Sequence, residues 1–567
     1  MSAKPWLAEY PAGVPAEIDA AQYASLVHLF ESSVHRFGSL PAFTNRGTTF
    51  SFDEVDRLSR GFAAYLQSSG LARGDRVAIM LPNLLQSPVA IFGALRAGLV
   101  VVNVNPLYTA RELEHQLADS GARAIIVLEN YAATVARALG AGKLERVIVT
   151  AVGDLFPVLD RAATNIVVRR VKRLVPEWSI PGAVRFREAL AEGRKLDFQR
   201  VGPAPEDLAF LQYTGGTTGV AKGAELTHAN MVANTLQAAA WAAPLFTSDA
   251  GVVVTPLPLY HVFSLTANLL CFTELGGHNL LITDPRNLKD FIKDLGKHRF
   301  AFLTGVNTLF NALLNKPSFA ELDFSSLRVS MGGGMAVQRD VAERWLSVTG
   351  VPIAQGYGLT EASPIVTANP LDAKAFNGSV GLPIPSTDVA IFDEQGERVE
   401  NGEIGEICVK GPQVMAGYWQ RPEETAEVFF PGGWLRTGDV GRLDSRGYLF
   451  IEDRKKDVIV VSGFKVYPNE VEDVVAAHPG VLEVAAVGVP NRQSGEAVKL
   501  FVVKKDPALT EQAIIDYCRG ALTGYKIPHF VEFMDELPKS NVGKVLRRKL
   551  KERGGRGAEA VAADTAS

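Results

Sequence analysis

Short runs of β-branched and aliphatic residues alternate with stretches of helical periodicity through the first half of the chain. RVAIML (Arg76 to Leu81), GLVVVNV (Gly98 to Val104), RAIIVL (Arg123 to Leu128) and RVIVT (Arg146 to Thr150) have the continuous apolar character of buried parallel strands. Between them apolar positions return every three or four residues. Ser51 with Glu54, and Thr109 with Glu112, have capping-box spacing, and Val55, Leu58, Phe62 and Leu66 then share one helix face. This alternation predicts parallel sheets covered by helices. From about Gly378 the pattern changes to short strands and turns (VAIFDEQGE, GEICVKG, GYLFIED), which predicts an antiparallel sheet or small barrel. Beyond the charged run Glu452 to Asp457 lies a segment of about 100 residues, long enough to be a domain. It holds two strand patterns, VLEVAAVGV and AVKLFVVKK, and two helical ones, EQAIIDYCRGAL and KVLRRKLKER. The last stretch, 553–567, has no apolar periodicity and is expected to be a disordered tail.

Length and composition narrow the function classes. The 567 residues, at about 150 per domain, exclude a single small module. With 47% hydrophobic and 21% charged residues the chain can bury large cores, which excludes a disordered or fibrous protein. A net charge of −4 gives no sign of a nucleic-acid partner. Cys271, Cys408 and Cys518 are far apart and form neither a disulfide framework nor a Cys-x-x-Cys metal site, as expected in a reducing compartment. The N-terminal residues lack an apolar core of signal-peptide length. Val262 to Ile282 is interrupted by Glu274, Gly276, Gly277 and His278, too soon for a spanning helix. A cytoplasmic protein is expected, with peripheral contact on the inner face of the cytoplasmic membrane and a homodimer both left open.

Four motifs carry chemistry. Tyr213, Thr214, Gly215, Gly216, Thr217, Thr218, Gly219, Val220, Ala221, Lys222 and Gly223 follow an apolar strand and precede a helical segment near His228. Glycines that turn N–H groups inward, with threonine hydroxyls and a lysine, suit a polyphosphate cradle, although the wording is not that of a Walker A loop. Gln355 to Glu361 puts Tyr357 between Gly356 and Gly358, which let the backbone approach a ring, as a stacking platform for a purine or as a packed turn tyrosine. Thr360 and Glu361 follow, a carboxylate able to hold magnesium between phosphates. In Gly433 to Asp439 the final carboxylate suits a ribose diol, and equally a β-turn cap. Leu537 to Lys544 ends in a lysine on a glycine turn, able to meet developing phosphate charge or simply to be solvated.

In their order and wording the four motifs resemble the adenylate-forming superfamily of acyl-CoA synthetases, luciferases and peptide-synthetase adenylation domains, from about residue 20 to 550. NVNPLYTARELEHQL, LAFLQYTGGTTGVAKGA, TGVNTLFNALL, KDVIVVSGFKVYPNEVEDVV and DELPKSNVGKVLRRKL resemble the bacterial long-chain fatty acyl-CoA synthetases. The resemblance implies an α/β chain: a large N-terminal domain (1–453) of two αβαβα-like halves plus a β-barrel, a hinge (454–456) and a small mobile α+β domain (457–552). It implies ATP, Mg2+ and coenzyme A as small-molecule partners alongside a long-chain fatty acid. By the same resemblance Thr214 to Lys222 grip the triphosphate and Tyr357 stacks on adenine beside Gly332, Gly333 and Gly334. Glu361 binds magnesium with the Thr214 hydroxyl, Asp439 holds the ribose and Arg454 contacts the nucleotide. Lys544 bridges the attacking carboxylate and the α-phosphate, Lys456 is the hinge, and Ser462, Gly463 and Lys465 form a turn that reaches the pantetheine tunnel.

His261, Val262, Phe263 and Leu265 are the expected acyl-pocket wall, with His261 mainly a packing residue. Some long-chain relatives carry a gating tryptophan where Leu265 stands, which puts an aromatic gate in doubt. The basic and apolar segment Val167 to Val175 is either a solvated surface helix or a dock for anionic lipid. A fatty acyl-AMP ligase that loads a carrier protein, a medium-chain or aryl acyl-CoA synthetase, and a non-catalytic binding protein remain as alternatives.

Overall fold

The computed structural model describes residues 4–140, 144–214, 221–246, 251–491, 493–540 and 543–554. Among them, four sheets organise the chain. The first has seven strands, in spatial order Val184–Arg185, Arg146–Thr150, Ala124–Leu128, Arg76–Met80, Val100–Asn103, Leu208–Thr214 and Lys222–Thr227. All its pairings are parallel except the last. The second has nine strands, with a parallel centre from Ile353–Gly358 through Val329–Gly332, Phe300–Gly305, Val252–Thr255 and His278–Leu281 to Pro41–Asn45.

The expected helix starts are present. Ser51 Oγ accepts from the Glu54 N–H while Glu54 accepts from the Ser51 N–H, at 3.2 and 2.9 Å, and Thr109 and Glu112 make the same exchange. The helix Phe52–Ser68 then buries Val55, Leu58, Phe62 and Leu66. It packs on helix Gln86–Arg96, where a Cβ on Gly93 would stand 2.8 Å from the Phe62 ring, so the close approach requires glycine. Each such large apolar side chain contributes about 2 kcal/mol by leaving water. These helices share one large core with strands of both parallel sheets, and that core fixes the sheets against each other.

The texture change near Gly378 marks a third sheet, an antiparallel one of Asp388–Phe392, Gly405–Lys410, Trp434–Leu443, Phe429–Phe430 and Leu449–Arg454. After an exposed turn at 455–457 comes the fourth sheet. Strands Val481–Asn491 and Gly495–Lys504 lie at its centre, and helices Pro468–Ala476 and Glu511–Arg519 pack with it around a separate core. The helical segment expected near His228 begins there under a Thr227 cap, with strand Lys222–Thr227 between it and the glycine and threonine motif. One local expectation shifts. The last helix runs over 547–554, two residues into the stretch expected to be disordered.

Candidate active site

Parallel strands deliver their carboxyl ends to one edge of a sheet, where the loops that follow can enclose a ligand. Leu208–Thr214, Val329–Gly332 and Ile353–Gly358 all open there into one cleft of about 2030 Å3. The third sheet contributes Thr437 to Asp439 and Arg454, and the C-terminal segment closes over it with Lys539, Ser540 and Lys544. Tyr213, Thr214, Lys222, Gly333, Gly334, Gly356, Tyr357, Gly358, Thr360, Glu361, Asp439, Arg454, Lys456, His261, Val262 and Phe263 all line it. Gly215, Gly216, Thr217, Thr218 and Gly219 lie outside the described residues.

On one wall, antiparallel pairing sets Asp439 opposite Arg454, and the Asp439 carboxylate stands 3.2 Å from the guanidinium. Its other oxygen accepts from the Tyr357 hydroxyl at 2.7 Å. Burial, then the Asp439 charge, pushes the Tyr357 phenol well above its ordinary range, so it stays a donor. A carboxylate has about four acceptor positions, so Asp439 keeps capacity for two hydroxyls. Of the glycines flanking Tyr357, Gly358 makes room for protein rather than for a ring: a Cβ there would lie 2.0 Å from the Pro364 carbonyl. One on Gly356 would lie 2.4 Å from the flexible end of the Met331 side chain, which can give way.

Thr214 pairs with Lys222 across the hairpin, and the Lys222 ammonium lies 5.2 Å over the Tyr418 ring. The Tyr418 hydroxyl donates to Glu361 at 2.7 Å. Tyr418 is a cleft position the motifs missed. The segment around it pairs with strand Lys222–Thr227, through Glu225 to Gly417 and Trp419 to Gly223. Tyr213 turns its hydroxyl away to Asp119 at 2.6 Å, so its role is to brace the strand end. Among the described residues no cluster of three or more His, Cys, Asp or Glu forms a metal cage. Glu361 and Thr214 both line the cleft, and a carboxylate with a hydroxyl fits a magnesium ion whose other ligands are phosphates and waters.

Lys544 is carried by a turn closed by Ser540 N–H to the Lys544 carbonyl at 2.7 Å and by Lys544 N–H to Ser540 Oγ at 3.1 Å. Thr308 Oγ1 donates to the Gly543 carbonyl, seating the turn on helix Asn307–Leu314. Burial, reinforced by Arg454 and opposed by Asp439, lowers the ammonium to about 8. His261 is lowered to about 4 by burial and by Lys544, so its ring is neutral, and Nδ1 accepts from the Phe263 N–H at 3.3 Å. That contact makes it a cap and wall residue.

Phe263 packs against Gly333, where a Cβ would be 3.0 Å from the ring. Leu265 does not reach the cleft. It is fully buried in the large core, because the chain turns helical at Val262 and carries the next residues inward. The apolar wall is completed instead by Leu257, Val306, Met331 and Ile365. Ser462 and Gly463, both with positive φ, form the tip of the Ile459–Val461 and Phe464–Val466 hairpin. They and Lys465, which pairs with Glu394 at 3.2 Å, stand away from the cleft.

Residues 30–419 match the profile of the AMP-binding enzyme family, and residues 470–544 match the AMP-binding enzyme C-terminal domain. The chain belongs to the AMP-binding enzyme family. It is 57% identical to a long-chain-fatty-acid–CoA ligase of Escherichia coli O6:H1, over 97% of this chain and 98% of that protein. It is 58% identical to the ligase of the same name from Salmonella typhimurium, at the same coverage. Among solved members, ATP-bound MatB from Rhodopseudomonas palustris is similar with a TM-score of 0.79 and 28% identity, covering 93% of this chain and 98% of that one. The fold also matches the anthranilate CoA ligase AuaEII, with a TM-score of 0.84 and 24% identity over 96% and 100% of the two chains. As in other AMP-binding enzymes, ATP and coenzyme A are the co-substrates of a ligase.

Proposed function

We propose that this AMP-binding enzyme is a long-chain fatty acid–CoA ligase. The observation that carries the proposal is the convergence, in one cleft, of the Tyr357, Asp439 and Arg454 cluster, the Lys544 ammonium and an apolar wall. The full-length identity to named long-chain ligases supports the same substrate class.

A carboxylate resists nucleophiles because it is negatively charged and oxide leaves poorly. In the first step a carboxylate oxygen bonds to the α-phosphorus of ATP, the bond to the bridging oxygen breaks, and pyrophosphate leaves. The protein supplies position and charge. Asp439 and Tyr357 orient the nucleoside, Thr214 to Lys222 hold the phosphates, and Lys544 neutralises charge gathering between carboxylate and α-phosphate. Glu361 and Thr214 would hold Mg2+, which supplies further neutralisation of phosphate charge. In the second step the thiol sulfur of coenzyme A bonds to the acyl carbon, AMP departs and the thiol proton is released. No protein nucleophile is needed. The three cysteines are buried, and burial raises the pKa of each thiol.

Two steps in one cleft require two arrangements. The large part (1–453) and the small part (457–552) move about Lys456, whose exposed turn joins two sheets with separate cores. The Ser462, Gly463 and Lys465 turn, remote from the cleft here, comes to the thiol channel after rotation.

We propose a peripheral membrane contact as well. No helix among the described residues is long and apolar enough to cross a membrane. Helix Val158–Ile166, continued by Val167–Val171, instead exposes Val158 (65%), Leu159 (83%) and Val171 (70%) beside Arg170, Lys172 and Arg173. An apolar stripe beside basic residues suits the surface of an anionic bilayer, the phase that holds free fatty acid. The proposed location is the cytoplasm, at the inner face of that membrane.

A panel from acetate to oleate, scored by AMP release with either coenzyme A or a phosphopantetheinyl carrier, tests the function. Palmitate and oleate with coenzyme A are expected to dominate. Preference for the carrier, for short or aryl acids, or no turnover would replace the proposal with one of its rivals.

A further inference from the structure

Lys544 acts in the first step only if something holds its turn in the cleft, and the contact at Thr308 is a single neutral hydrogen bond. A stronger attachment lies behind it. Asp453, at the end of strand Leu449–Arg454, is 1% exposed. Its Oδ1 accepts from Arg547 Nη1 at 2.9 Å and from the Arg454 N–H at 2.8 Å. Its Oδ2 accepts from the Asn469 N–H at 2.9 Å. Arg547 stands three residues after Lys544, at the start of the final helix. Its second nitrogen donates to Asn469 Oδ1 and to Glu472, both at 2.8 Å, and Glu472 accepts from the Ala486 N–H at 2.8 Å.

These contacts are arranged asymmetrically about the 455–457 turn. Arg547, Asn469, Glu472 and Ala486 all lie beyond it and would travel together. Asp453 lies before it, in the strand paired with the one that carries Asp439. Rotation about Lys456 therefore keeps the Arg547 contacts to Asn469 and Glu472 but strips Asp453 of two of its three donors. A buried carboxylate that loses a charged partner and an N–H must rehydrate or be re-paired, which is costly.

We infer that Asp453 is a positioning residue: a catch on the large part that grips Arg547 and Asn469 and so holds Lys544 over the α-phosphate for adenylation, to be released before thioester formation. This inference rests on the two-step reading above. The catch is joined through one strand pairing to the carboxylate that orients the nucleoside.

The test is Asp453→Asn, which keeps the shape and removes the charge. Adenylation, measured by pyrophosphate exchange with palmitate, is expected to fall about 10- to 100-fold, the scale of one lost charge-assisted hydrogen bond. Thioester formation from supplied palmitoyl-AMP is expected to be unchanged or faster. Equal losses in both half-reactions, or none in adenylation, would overturn the catch. A wild-type protein that makes no palmitoyl-AMP would instead overturn the functional reading. A second measurement needs no variant. In the wild type, the Asn469 amide is expected to exchange slowly with a non-reactive palmitoyl-AMP analogue bound and faster once coenzyme A is added. An unchanged exchange rate would refute release.

Discussion

Replacing Lys544 by arginine isolates its protonation from its charge. Burial beside Arg454, with only Asp439 in favour, takes the lysine from its ordinary 10.5 to about 8. Two and a half pH units correspond to roughly 3 kcal/mol against burying the ammonium without a substrate anion. The direction follows from the depressed value. Below pH 8 the lysine is charged whether the turn is in the cleft or out, and the full cost opposes closing. Between 8 and 10.5 closing expels a proton and the cost shrinks, but the lysine left in the cleft is neutral and cannot stabilise the transition state. With the turn resting in the cleft, as in this structure, the free enzyme titrates at about 8, and the kcat/KM of adenylation is expected to fall tenfold per pH unit above that value. Lys544→Arg, whose guanidinium keeps its proton, is expected to start from a lower rate and stay flat to pH 10. Lys544→Met should lose about 100- to 1000-fold in adenylation at every pH, the scale of one removed charge stabiliser, and largely spare thioester formation from supplied acyl-AMP. The assay is pyrophosphate exchange from pH 6 to 10. An arginine variant with the same alkaline fall, or a methionine variant within tenfold of wild type, would refute the role of the ammonium.

Three further outcomes are expected. Tyr357→Phe keeps the ring but removes the donor to buried Asp439, so the KM for ATP should rise about 3- to 10-fold with little change in kcat, and steady-state kinetics with an unchanged KM would contradict it. Lys456→Pro fixes the turn backbone and should slow thioester formation at least about tenfold more than adenylation; equal effects in the two half-reactions would count against the hinge. Reversing Arg170, Lys172 and Arg173 to glutamate should reduce binding to phosphatidylglycerol vesicles by at least about 100-fold, from about 1 kcal/mol per basic charge lost with the added acidic charges repelling further, and unchanged co-sedimentation would remove the membrane surface. Arg169 is left in place there because it pairs with buried Glu129 at 2.7 Å and holds the fold.

What the sequence made legible was local. Ser51 with Glu54 and Thr109 with Glu112 satisfy helix ends three residues away, so their spacing alone predicts the geometry seen. The strands Arg76–Met80 and Ala124–Leu128 were legible because both faces are covered and no polar residue interrupts them. Contacts that cross the chain left no such trace. Asp453 meets Arg547 across 94 positions, and Glu361 meets Tyr418 across 57, with no periodicity to connect them. Leu265 was misplaced for a related reason. Proximity to His261 in sequence does not say which face of the helical turns meets the cleft, and that face turns inward. Gly358 is a close approach, but the neighbour that demands it, the Pro364 carbonyl, is protein and not a bound ring.

The central claim is that an acyl-adenylate forms in the cleft and AMP is the leaving group toward coenzyme A. Palmitate labelled with 18O in its carboxylate tests it most directly. The attacking carboxylate oxygen stays on the α-phosphorus when the thiol displaces AMP. Mass spectrometry of a reaction with ATP and coenzyme A is therefore expected to find one labelled oxygen in AMP, none in pyrophosphate, and palmitoyl-CoA in equal amount. Label in inorganic phosphate with ADP as product, or unlabelled AMP beside palmitoyl-CoA, would contradict the account.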